Sequence, residues 1–516
     1  MFVLFAALAL ILVLRALYNH LYHRFNARRL NCATPHTKVN KWPLGIDHIR
    51  RLNDADKRDL ICDEFLAMYA EEGVASFQHW LFGKRNLFTA EPRNVQAVLA
   101  TQFNDFEIPI SRQNNFWPML GQGIFTANGP VWSHSRAMLR PQFTRQQVAD
   151  LELEEIHVQQ LLMHIKPDLT TGWTGATNLG PMFFRLTIDS ATEFLFGQSV
   201  ESQLQALPGG MSNTNTAYNW RNLADHFDDG TMHLGTRGRF SFLYWLHNPA
   251  EFSKDCKEVH AFADHFVQQA LLRTGKDDAA AASKKQRYVF LHELIKETKD
   301  PIELRCQLLH ILLAGRDTTA GLLGWTFFLL ARHPDVYKNL RSTLLETFGP
   351  YHSPRDITFE RLKSCAALQH VMQETLRLFP SVPLNSRMAV RDTSLPLGGG
   401  PDGSKPMYIR KGEEVLYPVY VMHRRKDIWG ADAEEFKPER WAGRKPGWEY
   451  LPFNGGPRIC LGQQFALTEA GYVITRLVQL FDEIVAVSPK EEYRQQYSVT
   501  SAPREVFVYL HSSSLN

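Results

Sequence analysis

The chain has 516 residues, of which 44% are hydrophobic and 22% are charged, and its formal net charge is +3. These values are ordinary for a globular protein, so extensive disorder is excluded, and the charge is too small for a nucleic-acid-binding surface. The six scattered cysteines form no Cys-x-x-Cys pair, which excludes a disulfide framework and a zinc ribbon and favours a reducing, cytosol-facing body.

Residues 1–22 are predicted to form a membrane anchor. An uninterrupted apolar run extends up to Arg15, and Arg24, Arg28 and Arg29 follow it. A cleaved secretory signal would need basic residues before the apolar run, and none is present. The run is short for a bilayer of about 30 Å, so a helix lying in the membrane interface is the alternative to a single span. The arginines favour a single pass through a thin membrane, such as the endoplasmic reticulum, with the body in the cytosol.

Residues 23–45 are expected to be a basic, proline-containing linker, and residues 46–516 a single catalytic domain. Helical periodicity dominates to about residue 380. Short β-like runs follow, among them SRMAV, PMYIR, EEVLYPVYV and, near the end of the chain, EVFVYLH. The polar stretch Lys276–Arg287 is expected to be a surface connection. The predicted fold is therefore mostly α, with a smaller β-rich portion in the same body.

A long helix is predicted from Pro301 to just before Pro334. Asp300 is a good N-cap, and Glu303 three residues later predicts a capping box. At about 1.5 Å per residue the helix would be about 50 Å long, enough to cross a whole domain. Its centre carries adjacent arginine and aspartate residues, so it is predicted to be a core helix and not a membrane span.

The middle of this helix, AGRDTTAG, contains residues that do not favour a helix. Gly315 costs about 1 kcal/mol relative to alanine, and the threonine hydroxyls compete for backbone carbonyls. One interpretation is a polar patch tolerated where two helices cross. The other is a local distortion that makes room for a ligand and presents Asp317 and Thr318 as an acid–alcohol pair for proton delivery.

A second predicted helix carries a charge pair in the stretch ETLR. Glu374 and Arg377 lie three residues apart and share a face. An exposed pair is the ordinary case, but the surrounding residues are apolar, so a buried pair that needs further hydrogen-bond partners is the alternative. Arg440, in FKPERW, is the candidate third member, and the expected role of this triad is to fix the segment that leads to Cys460.

The stretch FNGGPRICLG places Cys460 between a glycine-rich turn and a predicted helix. A lone cysteine is most often a buried apolar side chain. The turn, Arg458 and the start of the helix favour a thiolate that binds a metal. A catalytic nucleophile stays open as a third interpretation, although no His or Asn partner can be assigned.

The same stretch resembles the haem-binding signature of the cytochrome P-450 monooxygenases. The signature is matched at Phe453, Gly456, Arg458, Cys460 and Gly462. The stretch AGRDTT resembles the oxygen-activating helix of that family, and ETLR its Glu-x-x-Arg helix. PERW resembles the segment that supplies the triad arginine, with tryptophan where phenylalanine is more usual.

Two further stretches resemble positions that bind the haem propionates. WSHSR is similar to the Trp-x-x-x-Arg helix of the family and supplies Trp132 and Arg136. Arg387 lies where the family often places another propionate partner. Buried propionates need cationic partners, which Arg136, Arg387 and Arg458 would supply, and Trp132 would donate through its indole N–H.

The resemblance implies a cytochrome P-450 fold that holds haem b with Cys460 as the axial thiolate, with glycines that give clearance for the porphyrin. It implies oxygen insertion into a C–H bond, with Asp317 and Thr318 delivering protons. No flavin or nicotinamide domain is visible, so electrons are expected from NADPH–cytochrome P-450 reductase, with cytochrome b5 as a further partner. The expected docking surface for the reductase is basic, near Arg424, Arg425, Lys426, Arg444 and Lys445.

The substrate is expected to be lipophilic. GQGIFTANGPVWSHSRAMLRPQF and LGQQFALTEAGYV resemble the fungal branch that hydroxylates n-alkanes and fatty acids, and a fungal secondary metabolite is the alternative substrate. Residues 101–125 and 205–245 are expected to form pocket loops, and LGGGPDGSKP is expected to be a hairpin loop and not a phosphate loop. The rival functions are a haem-thiolate isomerase or dehydratase that needs no reductase, and a membrane-anchored haem protein without catalysis.

Overall fold

The structure is a computed structural model that describes residues 1–143, 150–210, 222–273, 288–490 and 492–512. The polar stretch Lys276–Arg287 of the sequence prediction lies outside the described residues. The α-helices, in chain order α1 to α19, are Phe2–Arg29, Ile46–Asp56, Ile61–Glu72, Pro92–Gln96, Ile110–Leu120, Gly129–Leu139, Leu151–Leu162, Leu179–Phe196, Ser202–Gln205, Leu223–Arg239, Ala250–Arg273, Phe290–Glu297, Pro301–Leu330, Pro334–Phe348, Phe359–Ser364, Ala366–Leu378, Val419–Met422, Lys426–Trp429 and Gln463–Leu480.

The strands form one six-stranded sheet and three small sheets in the described part of the chain. The strands, in chain order β1 to β13, are His36–Lys38, Ser76–Leu81, Lys84–Thr89, Phe106–Glu107, Thr177–Asn178, Leu384–Ala389, Thr393–Gly399, Lys405–Ile409, Glu414–Pro418, Glu483–Ala486, Gln495–Tyr497, Ser501–Pro503 and Phe507–His511. The large sheet has the order β1-β2-β3-β9-β6-β4, and the others pair β10-β13-β5, β11-β12 and β7-β8. The predicted class, mostly α with a smaller β portion, is confirmed.

The long helix α13 joins two hydrophobic cores. Its N-terminal part, from Leu304 to Leu313, packs into a core with α5, α8, α10, α11 and α12. Its C-terminal part, from Ala320 to Leu330, packs into a second core with α3, α14, α16, α19 and the large sheet. The six residues between these parts are therefore held at the centre of the domain by packing on both sides.

The start of α13 follows the prediction only in part. The Asp300 side chain accepts a hydrogen bond from the Ile302 amide at 2.9 Å, as expected for an N-cap. The capping box is wrong, because Glu303 accepts a hydrogen bond from the Thr298 hydroxyl at 2.8 Å. The same hydroxyl accepts a hydrogen bond from the Asp300 amide at 3.3 Å, so Thr298 takes the role that the capping box assigns to Glu303.

The runs SRMAV, PMYIR and EVFVYLH overlap strands β6, β8 and β13, as the sequence predicts, and LGGGPDGSKP is the loop of the antiparallel β7–β8 pair. EEVLYPVYV is a strand only up to Pro418, because helix α17 begins at Val419. Strands β2 to β5 were missed because helical periodicity was expected there, and β1 because it lies in the expected linker. The β2–β3 hairpin turns through Phe82 and Gly83, both with positive φ, as two-residue hairpin loops require. The first four residues of β2 are all buried, so the alternation that identifies a half-exposed strand is absent.

The N-terminal helix α1 is longer than the predicted anchor and runs through residue 29. Its apolar side chains are exposed, and it is long and apolar enough to cross a membrane. Within the expected linker, β1 pairs in parallel with β2, so this part of the chain belongs to the sheet. The His23 imidazole also contacts the Tyr408 hydroxyl at 3.1 Å, which holds the end of α1 against β8.

The expected pocket loops are largely helical. Residues 110–120 form α5, and residues 223–239 form α10, which pack against each other. The Asn115 amide donates to the Leu234 carbonyl at 3.0 Å between them. Residues 211–221 of the second expected loop lie outside the described part of the chain.

Candidate functional site

The Cys460 segment is a tight loop held by its own backbone. The Cys460 amide donates to the Phe453 carbonyl at 3.0 Å, and the Ile459 amide donates to the Gly456 carbonyl at 3.0 Å. Helix α19 begins at Gln463, with Gly462 as its N-cap residue. The loop therefore fixes the cysteine three residues before a helix, as the sequence predicts.

The glycines of this loop have a different purpose from the one expected. Gly456 has a φ of 66°, and a Cβ there would lie 1.9 Å from the Leu99 carbonyl oxygen. A Cβ on Gly455 would lie 2.7 Å from the Trp448 ring, whereas one on Gly462 would make ordinary contact with Phe143. The prediction that the glycines leave space for a porphyrin is thus wrong at Gly455 and Gly456. There the absence of a side chain lets the Trp448 ring and the Leu99 carbonyl approach the backbone.

The Cys460 side chain is exposed, in contrast to four of the other five cysteines, which are buried. Burial by the surrounding protein nevertheless raises the pKa of the Cys460 thiol, against the lowering effects of the Gly462 amide and of Arg136. The side chain thus faces an internal space and not bulk solvent. The thiolate expected at Cys460 is one that binds a metal, and a bound metal cation would deprotonate the thiol despite this burial.

An opening lies in the middle of α13. Ala314, Gly315 and Thr318 are partly exposed, although almost every neighbouring residue of the helix is buried. A Cβ on Gly315 would meet no atom within 4 Å. The expected distortion is absent, since α13 is continuous from Pro301 to Leu330. The open space arises because Gly315 has no side chain, and not because the helix is broken.

The predicted acid–alcohol pair is divided between two faces of α13. The Thr318 hydroxyl lies on the open face and donates to the Ala314 carbonyl at 2.6 Å. Asp317 is buried, and its carboxylate accepts a hydrogen bond from Arg316 Nη1 at 3.0 Å. Arg316 also pairs with Asp228 on α10. Burial raises the pKa of Asp317 to about 6 against the opposing charge of Arg316, so this carboxyl can hold or release a proton near neutral pH.

Three guanidinium groups meet beside the Cys460 loop. Arg112 on α5 and Arg387 on β6 both donate to the Asn385 side-chain oxygen, at 2.8 and 3.1 Å. Burial lowers the pKa of Arg458 to about 9, and the charges of Arg387 and Arg112 lower it further in the same direction. Burial and the charge of Arg387 likewise lower the pKa of Arg112 to about 10.

None of these cations forms a salt bridge in the described part of the chain. The carboxylates of Glu107 and Glu414 act on Arg458 and Arg112 only from beyond salt-bridge distance, and Arg112 Nε is buried without a hydrogen-bond partner. Buried charges are stable only when they are paired. The cluster therefore fits a ligand that brings its own negative charges, such as the two propionates of haem.

The Trp132 and Arg136 pair of α6 lies between this cluster and Cys460. The Trp132 ring packs against Arg458, whose guanidinium carbon lies 4.3 Å from the ring centroid. Arg136 donates to the Ile459 carbonyl at 3.0 Å and is close enough to Cys460 to affect its charge. The structure thus brings Trp132, Arg136, Arg387 and Arg458 to the Cys460 loop, as predicted.

Arg112 was missed by the sequence analysis. It is the only Asp, Glu, Lys or Arg between Glu107 and Arg136, and this isolation was the available signal. An arginine alone in a long uncharged stretch needs a specific partner when it is buried. Its position beside Arg387 depends on the packing of α5 against β6, which no local pattern contains.

The Glu374, Arg377 and Arg440 triad forms as predicted and is buried. Arg377 binds both oxygens of Glu374 at 2.8 Å, and neither side chain is exposed. Arg440 Nε donates to Glu374 Oε1 at 3.2 Å. Trp441 Nε1 donates to Glu374 Oε2 at 3.0 Å, so the tryptophan noted in PERW adds a hydrogen bond that phenylalanine cannot make.

The triad connects α16 to the segment before Cys460. Arg377 Nη1 donates to the carbonyls of His423 at 2.8 Å and Ala433 at 2.6 Å. The His423 ring then accepts the Leu451 amide at 2.9 Å, two residues before Phe453. A buried ion pair with these additional bonds fixes the path of the chain into the Cys460 loop.

The expected basic docking surface is smaller than predicted. Arg424 is buried against the Tyr420 ring and pairs with Glu434, so it does not belong to an open surface. Arg425 pairs with Glu91 and Asp427. Of the five residues, Lys426 and Lys445 are exposed.

The arrangement fits haem on three grounds. A cysteine faces an internal space, a glycine opens the central helix, and buried cations that form no salt bridge in the described structure lie at the edge of the Cys460 loop. Haem is a flat, metal-bearing group with two acidic side chains, and these are the three features that it requires. Cys460 would hold the iron, and Arg112, Trp132, Arg136, Arg387 and Arg458 would bind the propionates.

Comparisons with known proteins agree with this fit. The sequence profile described as Cytochrome P450 matches residues 55–509. Cytochrome P450 monooxygenase g430 of Fusarium is 53% identical over 465 residues, which are 90% of this chain and 81% of the relative. Cytochrome P450 monooxygenase alt2 of Alternaria solani is 47% identical over 472 residues, covering 89% and 87%. Cytochrome P450 52A13 of Debaryomyces hansenii is 48% identical over 465 residues, covering 89% and 88%.

Proposed function

The chain belongs to the cytochrome P450 family, and from this premise we propose that it hydroxylates fatty-acid or n-alkane chains at a membrane. The family holds haem through a cysteine thiolate and receives electrons from a separate reductase, so the chain is a haem-thiolate monooxygenase with a lipophilic substrate. The finer substrate class rests on the stretches that resemble the n-alkane and fatty-acid branch.

When bound, haem would supply the reduction and splitting of O₂, because a thiolate ligand would donate electron density to the iron. Per turnover, the substrate C–H, O₂, two electrons from NADPH and two protons give an alcohol and water. We assign the axial ligand to Cys460 and the proton delivery to Asp317 and Thr318. The observation that carries this assignment is the opening of α13 at Gly315, which leaves the Thr318 hydroxyl on the open face.

Asp317 and Arg316 set where protons enter the site. The Asp317 carboxyl can change its charge near neutral pH, because burial raises its pKa to about 6. Its ion pair with Arg316 connects it to Asp228 on α10. We propose that protons held at the Asp317 carboxyl reach the Thr318 hydroxyl on the open face of α13.

Replacing Thr318 by valine or alanine is expected to keep haem binding but to release hydrogen peroxide instead of product. The hydroxyl is the polar group on the open face, and positioned proton transfer typically contributes about 10²–10⁴-fold to a rate. The ratio of product to NADPH consumed should fall several-fold, measured together with peroxide. The variant Thr326→Val, which removes a buried hydroxyl that donates to the Leu322 carbonyl on the same helix, is the control. An unchanged ratio in the Thr318 variants would exclude Thr318 from the mechanism.

The substrate class is tested by a spectral titration. Lauric acid, hexadecane and the bicyclic hydrocarbon decalin are added to the full-length enzyme, and the haem spin-state change is followed. A response to lauric acid or hexadecane, with none to decalin, is the expected result. A response confined to decalin would contradict the linear-chain proposal and favour a secondary metabolite.

We further propose that α1 anchors the enzyme in the endoplasmic reticulum with the catalytic domain in the cytosol. Helix α1 is apolar and exposed, and its last turn carries Arg28 and Arg29. Basic residues next to a span favour the cytosolic side. NADPH–cytochrome P-450 reductase is the proposed electron donor and cytochrome b5 the proposed second donor, both of which face the same compartment.

A further inference from the structure

A second group of buried titratable residues lies on another side of α13, away from Cys460. Glu154 on α7 and Glu469 on α19 are 4% and 3% exposed. Neither forms a salt bridge with Lys or Arg among the described residues. They line one cavity of about 20 Å³ together with Asp150, Glu193 and Thr468. Two carboxyl groups buried so close together cannot both be charged at low cost.

Ser190 on α8 lies between the two carboxyls. Its hydroxyl donates to Glu154 Oε1 at 3.0 Å, and it also faces Glu469. A hydroxyl has one proton to donate, so it satisfies one carboxyl at a time. The second oxygens, Glu154 Oε2 and Glu469 Oε2, are both buried without a partner.

The pair reaches α13 at Thr319. The Thr319 hydroxyl lies close to the Glu469 carboxyl without a well-formed direct bond, and Thr319 Oγ1 is buried and without a partner. The two carboxyl oxygens at the cavity and the Thr319 hydroxyl beside Glu469 therefore need hydrogen bonds. Leaving a buried polar atom unsatisfied is destabilising, and the cavity has the volume for one ordered water, which needs about 10–15 Å³.

The other end of the group reaches the surface. His157 on α7, three residues from Glu154, has its Nε2 3.0 Å from Glu193 Oε2, and the Glu193 side chain is 20% exposed. The remaining titratable groups that face the pair are Asp150, Asp189, Tyr288 and Tyr472. The chain from Glu193 through His157, Glu154 and Glu469 thus leads from the outer face to the residue next to Thr318.

We propose that Glu154 and Glu469 share one proton, through Ser190 and an ordered water in this cavity, and relay protons from the Glu193 surface to α13 at Thr319. A proton leaves the Glu469 carboxyl toward Thr319, and one from protonated His157 replaces it at Glu154, so the pair returns to its starting state. The relay rests on the monooxygenase function, which consumes two protons in each turnover. Glu154 and Glu469 are positioning residues, since neither touches the site at Cys460.

The shared proton has a consequence for stability. Burial raises the pKa of Glu154 to about 7, and burial together with Glu154 raises the pKa of Glu469 well above its usual value. As pH rises above the ordinary pKa of 4.5, the unfolded chain loses these protons and the folded chain keeps them. Unfolding then becomes easier with rising pH until the folded carboxyls also ionise.

The test compares the variants Glu469→Gln and Glu154→Gln with the control Glu152→Gln. Glu152 is an exposed glutamate on α7, the helix that carries Glu154. The first measurement is the infrared C=O band of a protonated carboxyl at neutral pH in the full-length protein. We expect the band in the wild type, its shift in D₂O, its loss in the Glu469 variant and its retention in the control. The melting temperature of Glu469→Gln should also fall less than that of the wild type between pH 5 and pH 8. Absence of the band, or an unchanged pH dependence of melting, overturns the shared proton.

The second measurement is the peroxide released per NADPH across the same pH range. Glu469→Gln is expected to release several-fold more peroxide than the wild type and the control, with an unchanged reduced CO spectrum. An unchanged release in a variant that has lost the band overturns the relay. If the wild type shows the band but no oxygenation of any substrate, the proposed function has failed while the proton pair stands.

Discussion

Replacing Cys460 by alanine is expected to abolish the red-shifted Soret band of the reduced CO complex and the oxygenation of substrate. The thiolate is the group that donates electron density to the iron, and no other cysteine is exposed in the described structure. Losing even an outer partner of a metal ligand costs about 10–100-fold, so loss of the ligand itself should cost more. Difference spectra of the reduced protein with and without CO measure the band directly.

The matched control for this variant is Cys365→Ala, which removes a thiol that is buried in the core. It should lose some stability and keep the band. A normal Soret band in Cys460→Ala, together with loss of that band in Cys365→Ala, would contradict the assignment of Cys460 as the iron ligand. Loss of all haem in both variants would point to a folding defect, which circular dichroism of each apoprotein separates from loss of the ligand.

Replacing Glu374 by alanine is expected to destabilise the domain by about 3–5 kcal/mol, because it leaves the fully buried Arg377 charge without its partner. The whole stability of a domain is about 5–15 kcal/mol, so the protein should fail to retain haem at growth temperature. The haem content of the purified protein and its urea midpoint measure the effect.

The chain offers a control with the same spacing. Glu293 and Lys296 form an ion pair at 2.7 Å and lie three positions apart on the chain, but the Lys296 side chain is exposed and that of Glu293 is partly exposed. Glu293→Ala should change stability by less than about 0.5 kcal/mol. An equal loss of stability in Glu374→Ala and Glu293→Ala would show that burial does not determine how much the triad contributes to stability.

The parts of the site carried by contiguous residues were predictable. Cys460, its turn and α19 follow one another within a short stretch, and the N-cap of α13 is specified by Asp300 and Pro301. Glu374 and Arg377 share a helix face, so their pairing follows from spacing alone. The membership of Arg440 came from the resemblance, since nothing local connects it to α16.

The remaining features depend on packing between distant segments. Arg112 joins the cation cluster only because α5 lies beside β6, and the position of Leu99 explains Gly456 better than any ligand does. Asp317 is buried away from the opening, where it pairs with Arg316, and Arg316 also pairs with Asp228 on α10. Strand β2 was missed because its first residues are buried on both faces, and this burial is created by the tertiary fold.

The direct test of the central claim uses isotopically labelled O₂. The full-length enzyme is reconstituted in lipid with NADPH–cytochrome P-450 reductase and supplied with NADPH and lauric acid, and the product is analysed by mass spectrometry. One labelled oxygen atom in each product alcohol, with no product when the reductase is omitted, is the predicted result. Product that forms from a lipid peroxide without NADPH, and that carries no label, would contradict monooxygenation and identify an isomerase or dehydratase.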